Sequence, residues 1–161
     1  RSRRLAGGGF LLFARLITLF AVMALSFAAK AQSNAIGIRG GYGAAEISYQ
    51  HALSAANRLE FDLGWWGGKD WTTFNLVGTY QWTGNITGIL GWFAGPGAQV
   101  RLYTGKVDNK PFGIGIGGQA GLELDFNIPL QLTLDARPMW HFLGYYSGFG
   151  ADVALGLRYR F

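Results

Sequence analysis

The chain contains no cysteine among its 161 residues, and this absence removes a large class of functions. Without cysteine there are no disulfide bonds, no thiol nucleophile and no thiolate ligands for a metal. Histidine is also scarce, with two residues, and no spacing typical of a metal site stands out around them. The composition therefore excludes thiol chemistry, and we expect neither a metal nor any other cofactor.

The chain also lacks an apolar run long enough for a transmembrane helix. The run near its start, residues 16–28, falls short of the roughly 20 apolar residues that cross a bilayer, because Arg15 limits it on the N-terminal side. Three arginines lie within the first four residues, and the tripeptide A-K-A follows the apolar run. A basic start, an apolar middle and an A-x-A end are typical of a secretory signal peptide. We therefore predict a cleavable signal peptide over residues 1–31 and a mature protein that begins at Gln32.

The predicted mature chain has no excess of positive or negative charge. The whole chain has 14 basic and nine acidic residues, but five of the basic ones lie within residues 1–31. Nine basic residues then balance nine acidic ones, so the mature chain is formally neutral. A neutral chain carries no electrostatic footprint for a polyanion. We therefore expect no nucleic-acid partner.

Residues 32–161 show no helical periodicity, and their apolar residues recur at every second position. In residues 150–161, for example, Val153, Leu155 and Leu157 share one face, while Asp152 and Arg158 share the other. A period of two is typical of a β-strand with one apolar and one polar face. This alternation predicts eight strands, at residues 35–42, 45–52, 58–66, 72–82, 88–103, 112–126, 130–143 and 150–161. Eight strands with short connections favour one domain over residues 32–161, an antiparallel up-and-down β-barrel.

Single residue types predict two local features of these strands. Gly84 and Asn85 predict a turn over residues 83–87, because both residue types favour turn geometry. Pro96 and Pro138 fall inside predicted strands. Since proline cannot donate a hydrogen bond to the ladder, each of them predicts a bulge or a strand end.

Alternation alone leaves open which face of the barrel points outward. A soluble barrel of lipocalin type would turn its apolar face inward, whereas a transmembrane barrel turns it to the lipid. Glycine is concentrated on the polar face, where it makes room in a narrow lumen. All six arginines of the mature chain fall on the polar face of strands, and all three lysines fall in loops. Arginine suits enclosed ion pairs and lysine suits a wet surface, so we predict a transmembrane barrel.

The polar face supplies the candidate site. It carries six arginines and seven carboxylates, and this near balance predicts a lumen filled by mutual ion pairs. The predicted lumen charge network consists of Arg39, Glu46, Arg58, Glu60, Asp62, Arg101, Glu123, Asp125, Asp135, Arg137, Asp152, Arg158 and Arg160. Such a filled lumen would act as a structural plug that closes the barrel. The functional alternative is a gated pore or an ion site.

The end of the chain resembles the C-terminal assembly signal of bacterial outer-membrane barrels, in Leu157, Tyr159 and Phe161. Three other stretches are similar to the small porin-family barrels of Bacteroidota. They are I-G-I-R-G-G-Y-G at residues 36–43, N-R-L-E-F-D-L-G at residues 57–64 and I-P-L-Q-L-T-L-D at residues 128–135. That family resembles the eight-stranded OmpA, OmpX and opacity-type barrels in fold.

This resemblance implies the outer membrane of a Gram-negative bacterium, with both termini in the periplasm. It implies outer-membrane lipid around the barrel, and periplasmic chaperones and the barrel assembly machinery as partners during biogenesis. We expect a monomer. Because the family is largely without a defined activity, we expect a structural or surface role, with a narrow passive pore for ions or small solutes as the alternative.

A lipid A-modifying enzyme is the second alternative, because some barrels of similar size use a serine and a histidine on the barrel wall. His51 has Ser48 and Ser54 nearby in sequence, and His141 shares a face with Asp135. Alternation places Ser48 on the face opposite His51, so a contact between a nucleophile and its base is not supported. We therefore expect no catalysis.

Overall fold

A computed structural model describes residues 34–42, 44–105, 111–144 and 146–161 of the chain. These residues form eight strands, which are β1 (Ala35–Gly41), β2 (Ala45–Ser54), β3 (Asn57–Gly67), β4 (Trp71–Thr87), β5 (Leu90–Gly105), β6 (Phe112–Asp125), β7 (Leu130–Leu143) and β8 (Gly148–Arg160). The predicted signal peptide and Gln32 lie outside the described residues. No helix in the described part of the chain is long and apolar enough to cross a membrane.

Each strand pairs antiparallel with the next one in sequence, and β1 pairs with β8, so that the sheet closes into a barrel. The closing ladder joins Ile36 to Tyr159 and Ile38 to Leu157. The predicted eight-stranded up-and-down barrel is confirmed. Because the strands alternate in direction, the connections after β1, β3, β5 and β7 meet at one end, which we call the loop end. The other three connections share the opposite end with the start of β1 and the end of β8, and we call it the terminus end.

The turn between β4 and β5 lies further along the chain than predicted. β4 continues to Thr87, and Gly84 remains paired with Trp92 of β5. The chain reverses from Gly88 onward, where φ is 53°, a left-handed conformation that glycine adopts without steric cost. The predicted turn at Gly84 is therefore wrong, because the ladder continues through this glycine.

Both prolines lie inside strands without ending or shifting them. Pro96 pairs with Gly118 across β5 and β6, and Pro138 pairs with Ala151 across β7 and β8. On the other side of each proline, the ladder omits two pairs and then resumes in the same register. The predicted bulge or strand end is wrong, because the missing N–H interrupts only one of the two ladders that flank a strand.

The outer surface of the barrel is apolar and its interior is polar. Ile38, Leu63 and Leu155 are 43–62% exposed, whereas Glu60 and Asp62 are fully buried. Other outward side chains are Ile47, Leu76, Val100, Ile116, Leu122, Leu134 and Trp140. A soluble barrel would have the opposite arrangement, so the fold is that of a transmembrane β-barrel, as predicted.

Leu63 offers a direct test of the outward face, because it lies at the middle of β3 and is 43% exposed. Leu63→Arg should destabilise the barrel in lipid by about 2 to 4 kcal/mol, the cost of an arginine facing lipid near the bilayer midplane. The control Leu63→Ala keeps an apolar surface and should lose far less. Urea titration of each variant, folded in phosphatidylcholine vesicles, measures the difference. Equal stability of the two variants would contradict the assignment of Leu63 to the lipid face.

Candidate functional site

The lumen near the loop end holds a cluster of two arginines and four carboxylates, which we call the upper cluster. Its members are Arg39, Glu46, Asp62, Asp135, Arg137 and Asp152. Arg39 pairs with Asp135 at 2.6 Å, with Asp152 at 2.8 Å and with Glu46 at 3.0 Å. Arg137 shares the same carboxylate, since its Nη1 donates to Oε2 of Glu46 at 3.0 Å, and its Nη2 pairs with Asp62.

A second cluster follows toward the terminus end, and we call it the lower cluster. It consists of Arg58, Glu60, Glu123 and Arg158. Arg58 pairs with Glu123 at 2.7 Å, and Arg158 pairs with Glu60 at 3.1 Å. Nη2 of Arg137 lies 3.8 Å from Oε1 of Glu60, so the two clusters are in contact. Together they form a connected set of buried charges inside the barrel.

Side-chain amides bridge these charges, and the predicted lumen charge network left them out because it contained only charged residues. Nε2 of Gln119 donates to Glu60 at 3.0 Å, and Gln50 donates to the same carboxylate at 2.7 Å. Asn75 donates to Glu46 at 3.0 Å. These amides occupy the inward positions of their alternating strands, so the position in the alternation is the signal that could have found them.

Glycines on the inward face leave room for the clusters. A Cβ atom at Gly64 would lie 2.9 Å from Cγ of Glu46, and one at Gly121 would lie 2.7 Å from the ring of Phe93. That ring lies under the guanidinium of Arg58, at 4.9 Å from the ring centroid. A larger residue at either glycine would displace a member of the lumen packing.

The 13 residues predicted to form the lumen charge network all lie on the inward side of their strands, but they differ in their partners. Twelve of them take part in ion pairs with one another, namely Arg39, Glu46, Arg58, Glu60, Asp62, Glu123, Asp125, Asp135, Arg137, Asp152, Arg158 and Arg160. The pair of Arg160 with Asp125, at 3.3 Å, is partly exposed at the terminus end. Arg101 is the exception, since it lies apart from these ion pairs.

Side chains do not fill the lumen along its whole length. A cavity of about 380 Å³ opens at the loop end, and we call it the vestibule. Glu46 and Asp152 of the upper cluster contribute to its lining, as do Trp66, Arg101 and His141. The expectation of a filled lumen therefore holds for the clusters and not for this end of the barrel.

The two histidines lie on opposite sides of the barrel wall. His51 faces outward and stacks on Tyr49, whereas Ser48 is fully buried and accepts a hydrogen bond from Nε of Arg158 at 2.9 Å. His141 lies in the lumen, with its Nε2 at 2.5 Å from Oε1 of Gln99. Within the described ranges, no group of three or more His, Asp or Glu side chains could hold a metal ion.

The three residues of the predicted assembly signal end the chain. Leu157 and Tyr159 face outward on β8, each 47% exposed, and Phe161 follows the last residue of that strand. Their recognition by the assembly machinery stays a prediction.

The fold has clear counterparts among solved structures. Neisserial surface protein A superposes with a TM-score of 0.60 at 12% identity, over 80% of this chain and 94% of that one. A de novo designed transmembrane β-barrel gives 0.54 at 18% identity, over 82% and 98% of the two chains. The N-terminal β-barrel domain of OprF from Pseudomonas aeruginosa gives 0.53 at 15% identity, over 80% and 96%.

No protein-family model matches the chain, and no curated protein matches it at a significant score. At 12–18% identity, the structural likeness shows the fold alone. That fold is the small eight-stranded barrel of outer-membrane proteins. The relation to Bacteroidota barrels stays a prediction.

The two classes of ion pair should differ in their contribution to stability. Glu60→Gln should destabilise the barrel by about 3 to 5 kcal/mol, because Arg158 then remains buried without its carboxylate partner. Asp125→Asn removes the partly exposed pair with Arg160 and should cost about 1 kcal/mol or less. Urea unfolding in vesicles, followed by the heat-dependent mobility of the folded barrel on gels, measures both. A Glu60→Gln variant no weaker than Asp125→Asn would refute the buried network as a source of stability.

Proposed function

We propose that this protein is an outer-membrane barrel with a closed lumen and a structural or surface role, without catalysis. The observation that carries the proposal is the set of buried ion pairs in the upper and lower clusters, which are in contact through Arg137 and Glu60. A solute that crosses the barrel would have to displace buried charges that are paired with one another. Removing one partner from such a pair costs several kcal/mol, so spontaneous opening would be rare.

The outer membrane of a Gram-negative bacterium is the proposed location, with both termini in the periplasm. The apolar belt and the fold shared with outer-membrane barrels support this location. In this orientation the loop end faces the outside of the cell and presents Lys69, an exposed residue of the connection after β3. The proposed partners are outer-membrane lipid and, during biogenesis, periplasmic chaperones and the barrel assembly machinery. The barrel is proposed to be a monomer.

A non-catalytic role is supported by the environment of the candidate nucleophile and base. Ser48 faces the lumen and is bound by Arg158, while His51 lies on the lipid-facing side of the same strand. A serine and a histidine on opposite faces of one strand cannot exchange a proton directly. His141 is held by an amide oxygen instead of a hydroxyl group.

A narrow passive pore is the second candidate, and the vestibule favours it, because this cavity already opens part of the lumen from the loop end. The upper cluster forms the floor of the vestibule with Glu46, Arg137 and Asp152. Conduction would require these side chains to exchange partners and leave a continuous water path.

Conductance separates the two candidates. Protein purified from the outer-membrane fraction and reconstituted in a planar lipid bilayer should give no steady single-channel current, because the paired charges block the lumen. An outer-membrane barrel treated in the same detergent and known to conduct serves as the positive control. Stepwise currents that scale with the amount of folded protein would overturn the closed lumen in favour of the passive pore.

A further inference from the structure

The charged side chains that line the vestibule differ in whether they have partners. Each of the two carboxylates in its lining has both oxygens occupied. Glu46 accepts from Arg39 and Arg137 on Oε2 and from Asn75 on Oε1. Asp152 accepts from Arg39 on Oδ2 and from the backbone N–H of Tyr42 on Oδ1. Both carboxylates that face the vestibule are therefore already bound by donors of the protein.

Arg101 lines the same cavity but lacks an ion-pair partner among the described residues. In the described part of the barrel, it has no carboxylate within ion-pair distance, and its Nε is buried without a hydrogen-bond partner. Its guanidinium lies 5.6 Å from the ring centroid of Trp66, so an aromatic face holds it beside the cavity. The other five strand arginines all have carboxylate partners. The vestibule thus contains one guanidinium that has no carboxylate at ion-pair distance among the described residues.

From this unpaired guanidinium in the cavity lining we infer that the vestibule binds a small oxyanion, a phosphate, sulfate or carboxylate group, through Arg101. A guanidinium presents several N–H donors in a planar fork that fits two oxygens of such a group. The cavity of about 380 Å³ is within the size range of small-ligand pockets. Enclosure by the barrel wall strengthens the attraction, because the charges are less screened there than at an open surface.

A cation would find a poorer site in the same cavity. Every carboxylate oxygen in the lining is already an acceptor for a protein donor, so a cation would have to displace Arg39, Arg137, Asn75 or the backbone of Tyr42. An oxyanion displaces none of them. The oxyanion can be a free solute or the phosphate of a lipid headgroup, since both offer the same oxygens.

Calorimetric titration of the folded protein tests this inference. Inorganic phosphate and sulfate are the probes, in dodecyl maltoside at low ionic strength. The wild type should bind them with heat that saturates, and Arg101→Gln should weaken binding at least tenfold. The matched control is Lys69→Gln, which removes the same charge from the same end of the barrel at an exposed residue outside the cavity lining. It should bind as the wild type does.

Three results would overturn the inference. They are no binding of either anion to the wild type, an equal loss in the Lys69→Gln and Arg101→Gln variants, and an unchanged affinity in Arg101→Gln. Heat-dependent gel mobility shows whether each variant is folded. If Arg101→Gln does not fold, Arg101→Lys takes its place: it keeps the charge but loses the planar fork, so it should bind more weakly than the wild type, and unchanged affinity would contradict the site.

The source of the anion is separated by repeating the titration in vesicles of phosphatidylcholine alone and with added lipid A. Loss of phosphate binding when lipid A is present identifies a headgroup phosphate as the occupant. Unchanged binding identifies a free solute.

Discussion

Pairing of the backbone is the constraint on which the rest of this barrel depends. In lipid, a backbone N–H or C=O without a partner costs several kcal/mol, so a sheet must close on itself. The ladder between β1 and β8 meets this requirement, since it joins Ala35 through Gly41 to the last strand. Closure then divides every strand into a lipid-facing and a lumen-facing set of residues, and the alternation of the sequence assigns each residue to one of them.

The narrow lumen sets the second condition, because eight strands leave just enough space for side chains. Charged residues can be enclosed there only in pairs. The upper and lower clusters pair six inward carboxylates with four arginines, and Asp125 pairs with Arg160 at the terminus end. Glycines such as Gly64 and Gly121 supply the space that these side chains occupy. Arg101 departs from this arrangement, and its position beside the vestibule is what distinguishes the loop end from a closed plug.

The sequence was sufficient to predict the strands and which residues face the lipid or the lumen. Alternation with a period of two depends only on neighbouring residues and not on the partner strands. Leu63 and Asp62 could be assigned to opposite faces from neighbouring positions alone. Partners across the barrel could not be predicted. The pairing of Arg39 with Asp135 depends on the closure and the tilt of the sheet, and so does the isolation of Arg101. The predicted turn at Gly84 was wrong because glycine occurs both in turns and at crowded positions within strands. The pairing of Gly84 with Trp92 shows that this glycine belongs to a strand.

The adjacent residues Trp65 and Trp66 allow the most direct test of the central claim, an apolar wall around a polar lumen. Trp65 is 54% exposed on the outer wall, whereas Trp66 lines the vestibule. The chain has six tryptophans, so the test needs two variants in which Trp65 or Trp66 is the single tryptophan and the other five are replaced by phenylalanine. Lipid brominated near the headgroup end of its chains should quench the fluorescence of Trp65, and aqueous iodide should quench that of Trp66. Quenching of Trp66 by the brominated lipid and of Trp65 by iodide would contradict the assignment of the two faces.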